Sequence, residues 1–133
     1  MNASRALLVS FLAGMCSLAG ADAGLTLAKR GQEASYVIMH TEDAAPSVIL
    51  ACQEFQQFLC QQTGVALPVV TDAEALPAKA VLVGDTRHTR GLLGPAYDLP
   101  ALKDDGFRLQ TVGERLVVLG GKRGAMYGLF ELL

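Results

Sequence analysis

Tryptophan is absent from the chain, and three tyrosines and five phenylalanines are its only aromatic residues among 133. Basic residues form no stripe, and the formal net charge is −2 with both signs interspersed. A nucleic-acid partner is therefore excluded: there is no electrostatic footprint for phosphates and no platform on which bases could stack. The missing tryptophan also argues against a module that grips sugars by ring stacking. Histidine is nearly absent too. His40 and His88 lie far apart and neither sits in a metal-ligand spacing, so no metal or cofactor is expected. No Gly-x-Ser-x-Gly is present to support a serine-hydrolase elbow.

Cysteine is scarce, at three residues. Cys52 and Cys60 fall in one helical stretch, eight positions apart. Eight residues of helix rise about 12 Å, and a disulfide needs Cα atoms within about 7 Å. The two are therefore expected to remain unpaired, as buried thiols that pack like small apolar side chains.

What is present begins with an export signal. Residues 1–23 carry Arg5, an apolar run over residues 6–18 and small-residue exits at Ala19-Gly20-Ala21 and Ala21-Asp22-Ala23. That is the pattern of a cleaved leader, which would leave Gly24 first and deliver the protein to the periplasm or the exterior. The run falls short of the roughly 20 residues a bilayer requires, so no stable membrane span is expected. Cys16 follows Leu12-Ala13-Gly14, but Met15 stands where a lipoprotein signal needs a small residue. Residues 24–133 are then one small domain, which alternates apolar runs with turns and can bury a core.

Within that domain, residues 25–29 and 35–40 read as two strands around a turn at residues 30–33. Thr41-Glu42-Asp43 is acidic and suited to capping, and Pro46 fits a first helical turn. A helix follows to about residue 62, with Val48, Cys52, Phe55 and Leu59 on its apolar stripe, Ala51 and Phe58 widening it, and Gly64 as its stop. Residues 67–71 form a short strand that Pro68 confines to its own start or to an edge. Ala80-Val81-Leu82-Val83-Gly84 is apolar on both faces, as a central strand must be. Residues 85–102 are irregular, with a helical turn near 87–93.

A hairpin closes the chain before the last helix. With Gly113-Glu114 as its two-residue loop, Val112 faces Arg115, Thr111 faces Leu116 and Leu109 faces Val118. Phe107, Leu109, Leu116 and Val118 then share one face, and the other takes the charges. The fold class is α+β, a mixed β-sheet with one long and one C-terminal helix packed on it, in the order β-β-α-β-β-loop-β-β-α.

Candidate chemistry is sparse. Asp104-Asp105 is expected to be a solvated turn rather than a glycosidase carboxyl pair, which needs about 5–10 Å across a sugar. Gly120-Gly121-Lys122-Arg123-Gly124 lies between strand and helix, where anions bind, but it matches neither a Walker loop nor a dinucleotide fingerprint. Its glycines are expected to bring helix and sheet close together, and Lys122 and Arg123 are the candidates for an anion contact. Met126, Phe130, Leu132 and Leu133 carry more apolar surface than one sheet uses, and the helix ends bare. They are the candidates for docking onto a further part of the protein.

Three stretches carry a resemblance. The helix ending Phe58-Leu59-Cys60-Gln61-Gln62-Thr63-Gly64-Val65-Ala66-Leu67-Pro68-Val69-Val70, the strand ending Val81-Leu82-Val83-Gly84, and then Asp105-Gly106-Phe107 with Gly120-Gly121-Lys122-Arg123-Gly124-Ala125-Met126-Tyr127-Gly128-Leu129-Phe130-Glu131-Leu132-Leu133 resemble the N-terminal domain of α-glucuronidases. Similar domains precede the barrel of hexosaminidase-like glycoside hydrolases. The resemblance implies an accessory domain without catalytic residues. The active site would lie in a following (β/α)8 barrel, which would be the partner of this domain and the part that meets polysaccharide such as xylan. No catalytic residue carries over, because the family's catalytic carboxylates have no counterpart here. The alternatives are a free-standing exported binding or adaptor module without hydrolase activity, and an anion-binding domain using residues 121–124.

Overall fold

The computed structural model describes residues 6–9, 25–121 and 123–133, the first four as backbone only. The rest of the expected leader lies outside the described residues, as does Lys122. Seven strands and four helices follow in order: β1 (Ala6–Val9), β2 (Leu25–Lys29), β3 (Val37–His40), α1 (Pro46–Thr63), β4 (Val69–Thr71), β5 (Ala80–Val83), α2 (Thr89–Leu93), a 3-10 turn (Gly94–Ala96), α3 (Leu99–Leu102), β6 (Phe107–Val112), β7 (Arg115–Gly120) and α4 (Gly124–Glu131).

Five strands make one mixed sheet in the order β4-β3-β5-β7-β6. The first four are parallel, and β6 joins the edge antiparallel to β7. β5 is the expected central strand, with all four residues buried. β4 takes the expected edge and begins just after Pro68. The hairpin register is the expected one, with Leu109 opposite Val118, Thr111 opposite Leu116 and Val112 opposite Arg115. Gly113 opens its turn at φ +64°, a conformation glycine adopts without cost.

Two expectations about strands need correction. β2 does not pair with β3; it pairs antiparallel with β1 in a separate two-stranded sheet, because β3 has β4 on one side and β5 on the other. β1 falls within the expected leader, so cleavage there would remove the partner of β2. The far face of the hairpin is not a charged one either. β7 lies inside the sheet, and its Val117 and Leu119 are fully covered by a second apolar layer.

The helices lie on both faces. One core joins β2, α1 and α4 to Ile38, Val81, Val83, Leu116 and Val118. The other joins Met39, Leu82, Val117 and Leu119 to Leu93, Leu99 and Leu102 of the β5–β6 connection. The stripe on α1 is Val48, Ala51, Cys52, Phe55 and Leu59, as its spacing predicts, and Gly64 ends the helix at φ +77°. Phe58 is only half-buried, as is Cys60. Both cysteines are free, and burial pushes the Cys52 thiol up to about 12. The N-terminus departs from expectation. Ala45 stands at the cap without a side-chain hydrogen bond, and the first turn holds no acidic residue. Glu42 and Asp43 fall too early to cap it, and Glu42 is engaged elsewhere.

Candidate functional site

In a parallel sheet, loops that leave neighbouring strands toward opposite sides part above the sheet and open a crevice at the carboxyl ends. Here that point lies between β3 and β5. From β3 the chain passes through α1 to β4 on one side; from β5 it passes across the opposite face of the sheet toward β6 and β7. A cavity of about 480 Å³ occupies the crevice, bounded by Thr41 and Asp43 after β3, Gly84 and Asp85 after β5, and Gly120 and Gly121 after β7. Val48, Val83, Leu99, Pro100 and Ala125 give it apolar walls, and Lys103 and Asp104 stand at its rim. A second hollow of about 420 Å³ shares Thr41, Asp43 and Asp85 with it and is lined by Glu42, Asp72, Thr86, Arg87 and Arg90.

The loops around the crevice are tied together. Asp72 follows β4 and is only 4% exposed. Its Oδ1 accepts the backbone N–H of Glu42 at 3.1 Å and its Oδ2 that of Arg87 at 2.7 Å, so one carboxylate joins the loops after β3, β4 and β5. Burial alone would raise its pKa. The two backbone donors, the Arg87 charge and the Thr41 hydroxyl outweigh that and hold it below its ordinary value. Thr86 and Thr89 exchange a hydroxyl hydrogen bond at 2.8 Å, and the Thr89 hydroxyl closes the loop onto the Gly84 carbonyl at 3.3 Å. Tyr97 donates to Asp85 at 2.9 Å, and the Arg90 guanidinium lies 4.6 Å from the centre of the Tyr97 ring. Glu42 meets Arg87 at 3.5 Å on the surface.

The glycine-rich connection from β7 to α4 forms the far wall. A Cβ at Gly121 would overlap the Lys103 carbonyl, and one at Gly124 would overlap the Gly106 carbonyl. The expected packing role of these glycines is what the backbone shows. The N–H groups of Arg123 and Gly124 donate to the Asp104 carbonyl at 2.8 and 3.1 Å. Arg123 is ion-paired with Asp105 through its Nε at 2.7 Å, which raises its pKa, and both side chains are exposed. An anion at Arg123 would have to compete with that carboxylate.

Of the residues expected to dock, Met126 and Leu132 are half-buried against the domain's own core. Phe130 and Leu133 face outward at 36% and 46% exposure, joined by Tyr127 at 40%. Both histidines meet backbone carbonyls: His40 ends β3 with its Nδ1 donating to the Thr41 carbonyl at 2.8 Å, and the His88 ring reaches the Glu74 carbonyl at 3.1 Å. Among the described residues no group of three or more His, Cys, Asp or Glu could hold a metal ion. No helix among them is long and apolar enough to cross a membrane. Sequence reasoning missed the crevice. Its signal was an aspartate at the end of a strand, Asp72 directly after β4 and Asp85 two residues beyond β5.

The family described as Glycosyl hydrolase family 67 N-terminus matches residues 24–132. A protein named probable alpha-glucuronidase A from Aspergillus terreus is 33% identical over 84 residues, covering 62% of this chain and 10% of its own length. The protein of the same name from Aspergillus oryzae is 29% identical over 106 residues, covering 79% of this chain and 12% of its own length. The chain thus spans about a tenth of the length of the curated relatives it matches.

Proposed function

The chain belongs to the glycosyl hydrolase family 67 N-terminus family, and from that membership we propose that it is the non-catalytic accessory domain of an exported α-glucuronidase-like hydrolase acting on xylan. Residues 1–23 supply the export signal and residues 24–133 the domain. The partner is the catalytic barrel of the same parent protein, and polysaccharide is met through that barrel. The observation that carries the reading is the outer side of α4, where Phe130, Leu133 and Tyr127 present apolar surface beside the half-buried Met126 and Leu132. Such an exposed apolar patch fits a docking face.

The domain's chemistry supports a scaffold. A glycosidase acid must be protonated at working pH, with its pKa raised. Asp72, the buried carboxylate, is shifted the other way and is committed to two backbone donors. The test compares residues 24–133 with the parent protein on a glucuronic-acid-substituted xylo-oligosaccharide. Uronic acid release is expected from the parent alone. Turnover by the purified domain would end the proposal.

A further inference from the structure

The crevice between β3 and β5 has a size, a lining and a rigidity of its own. At about 480 Å³ it falls within the range of small-molecule sites. Its lining is mostly aliphatic, and three aspartates (Asp43, Asp85 and Asp104), Lys103 and Thr41 are the polar residues among it. Among the described residues neither Asp43, Asp104 nor Lys103 forms an ion pair. Asp85 accepts one hydrogen bond from Tyr97 and keeps further lone pairs. The loops holding these groups are fixed by Asp72, by the Thr86–Thr89 pair and by the glycine contacts, so little ordering remains for a ligand to cost. Lys103 adds a strained point. Its φ is +57°, the only positive value at a non-glycine among the described residues, and its carbonyl is pressed against Gly121.

We propose that this crevice binds a neutral sugar of one or two rings. Hydroxyl groups are donors as well as acceptors, and carboxylates that accept from them are the complement this lining provides. The C–H faces of a sugar suit the aliphatic walls formed by Val48, Val83, Leu99 and Ala125. The absence of tryptophan is consistent, because the grip comes from hydrogen bonds over aliphatic surface rather than from ring stacking. An anionic sugar is disfavoured, since the lining holds three aspartates against one lysine. Of α4 only the buried Ala125 belongs to the lining, which shares no residue with the proposed docking face.

The test is a titration of the 15N-labelled chain, followed by amide resonances, with xylobiose and glucuronate as separate probes. The choice of a xylose sugar rests on the function proposed above. Xylobiose is expected to give saturable shifts at the Thr41, Asp85 and Gly121 amides, with a dissociation constant of about 1–10 mM for so small a ligand. Asp43→Asn combined with Asp85→Asn is expected to weaken binding about tenfold while α1 resonances keep their dispersion. Phe130→Asp, on the docking face, is expected to leave binding unchanged, so loss of docking and loss of this site can be told apart. Absence of saturable shifts, shifts confined to other surfaces, or equal or tighter binding of glucuronate would overturn the proposal.

Discussion

Asp72 shows how much one buried carboxylate organises. Its side chain satisfies two backbone donors from loops 30 and 15 positions away. Removing it strands both donors, and hydrogen bonds to a charged group contribute about 1.5–3 kcal/mol each. Asp72→Ala is expected to lower unfolding free energy by about 3 kcal/mol, and Asp72→Asn, which keeps one acceptor, by about half of that. The pH dependence has a definite sign. The folded pKa lies below the unfolded one, so the stabilisation is present above about pH 4 and is lost as pH falls through the folded value. Urea unfolding should therefore show wild type and Asp72→Ala converging as pH is lowered from 7 toward 2. A constant gap across that range would mean that the charge contributes nothing.

At the scale of elements, the joint between α4 and the α3–β6 loop depends on positions without side chains. Gly121 lies against the Lys103 backbone and Gly124 against the Gly106 backbone, and neither neighbour is the tip of a flexible side chain. Gly121→Ala is expected to cost about 3 kcal/mol, at the upper end of overpacking penalties. Gly91 in α2 is the control, since a Cβ there meets nothing within 4 Å and its φ is not positive. Gly91→Ala should be neutral or stabilise by up to about 1 kcal/mol. Urea midpoints of the two variants, shifting in opposite directions or with only the first lowered, check the joint. The same elements show what sequence carries. The α1 stripe, its stop at Gly64, the central β5 and the β6–β7 register were legible because each is decided within a few turns of chain or across one tight loop. The true cap of α1, the separation of β2 from β3 and the covered far face of β7 were not. Each of those depends on which strand lies beside which, and local periodicity is silent on that. The crevice was hidden for the same reason: its lining comes from residues 41 to 125 and exists only once the sheet order is set.

For the molecule as a whole, the outer side of α4 sets a quantitative limit. Fully burying a large apolar side chain contributes about 1.5–3 kcal/mol. Phe130, Leu133 and Tyr127 are already more than half covered, so completing their burial adds about 1 kcal/mol each. About 3 kcal/mol falls short of the roughly 4 kcal/mol of a millimolar complex, before the cost of association. These residues alone therefore cannot hold a stable dimer of this chain, whereas a joint of standard size, about 800 Å² per partner, would recruit further surface. Weak, concentration-dependent self-association is the expected behaviour. Sedimentation velocity should show a monomer at micromolar concentration and a rising weight-average mass only as the concentration approaches the millimolar range. Phe130→Asp with Leu133→Asp should abolish the rise without changing far-UV dichroism, because both side chains lie outside the two cores. A tight dimer at micromolar concentration, or a rise that survives the double substitution, would place the adhesive surface elsewhere and remove the observation on which docking through α4 rests.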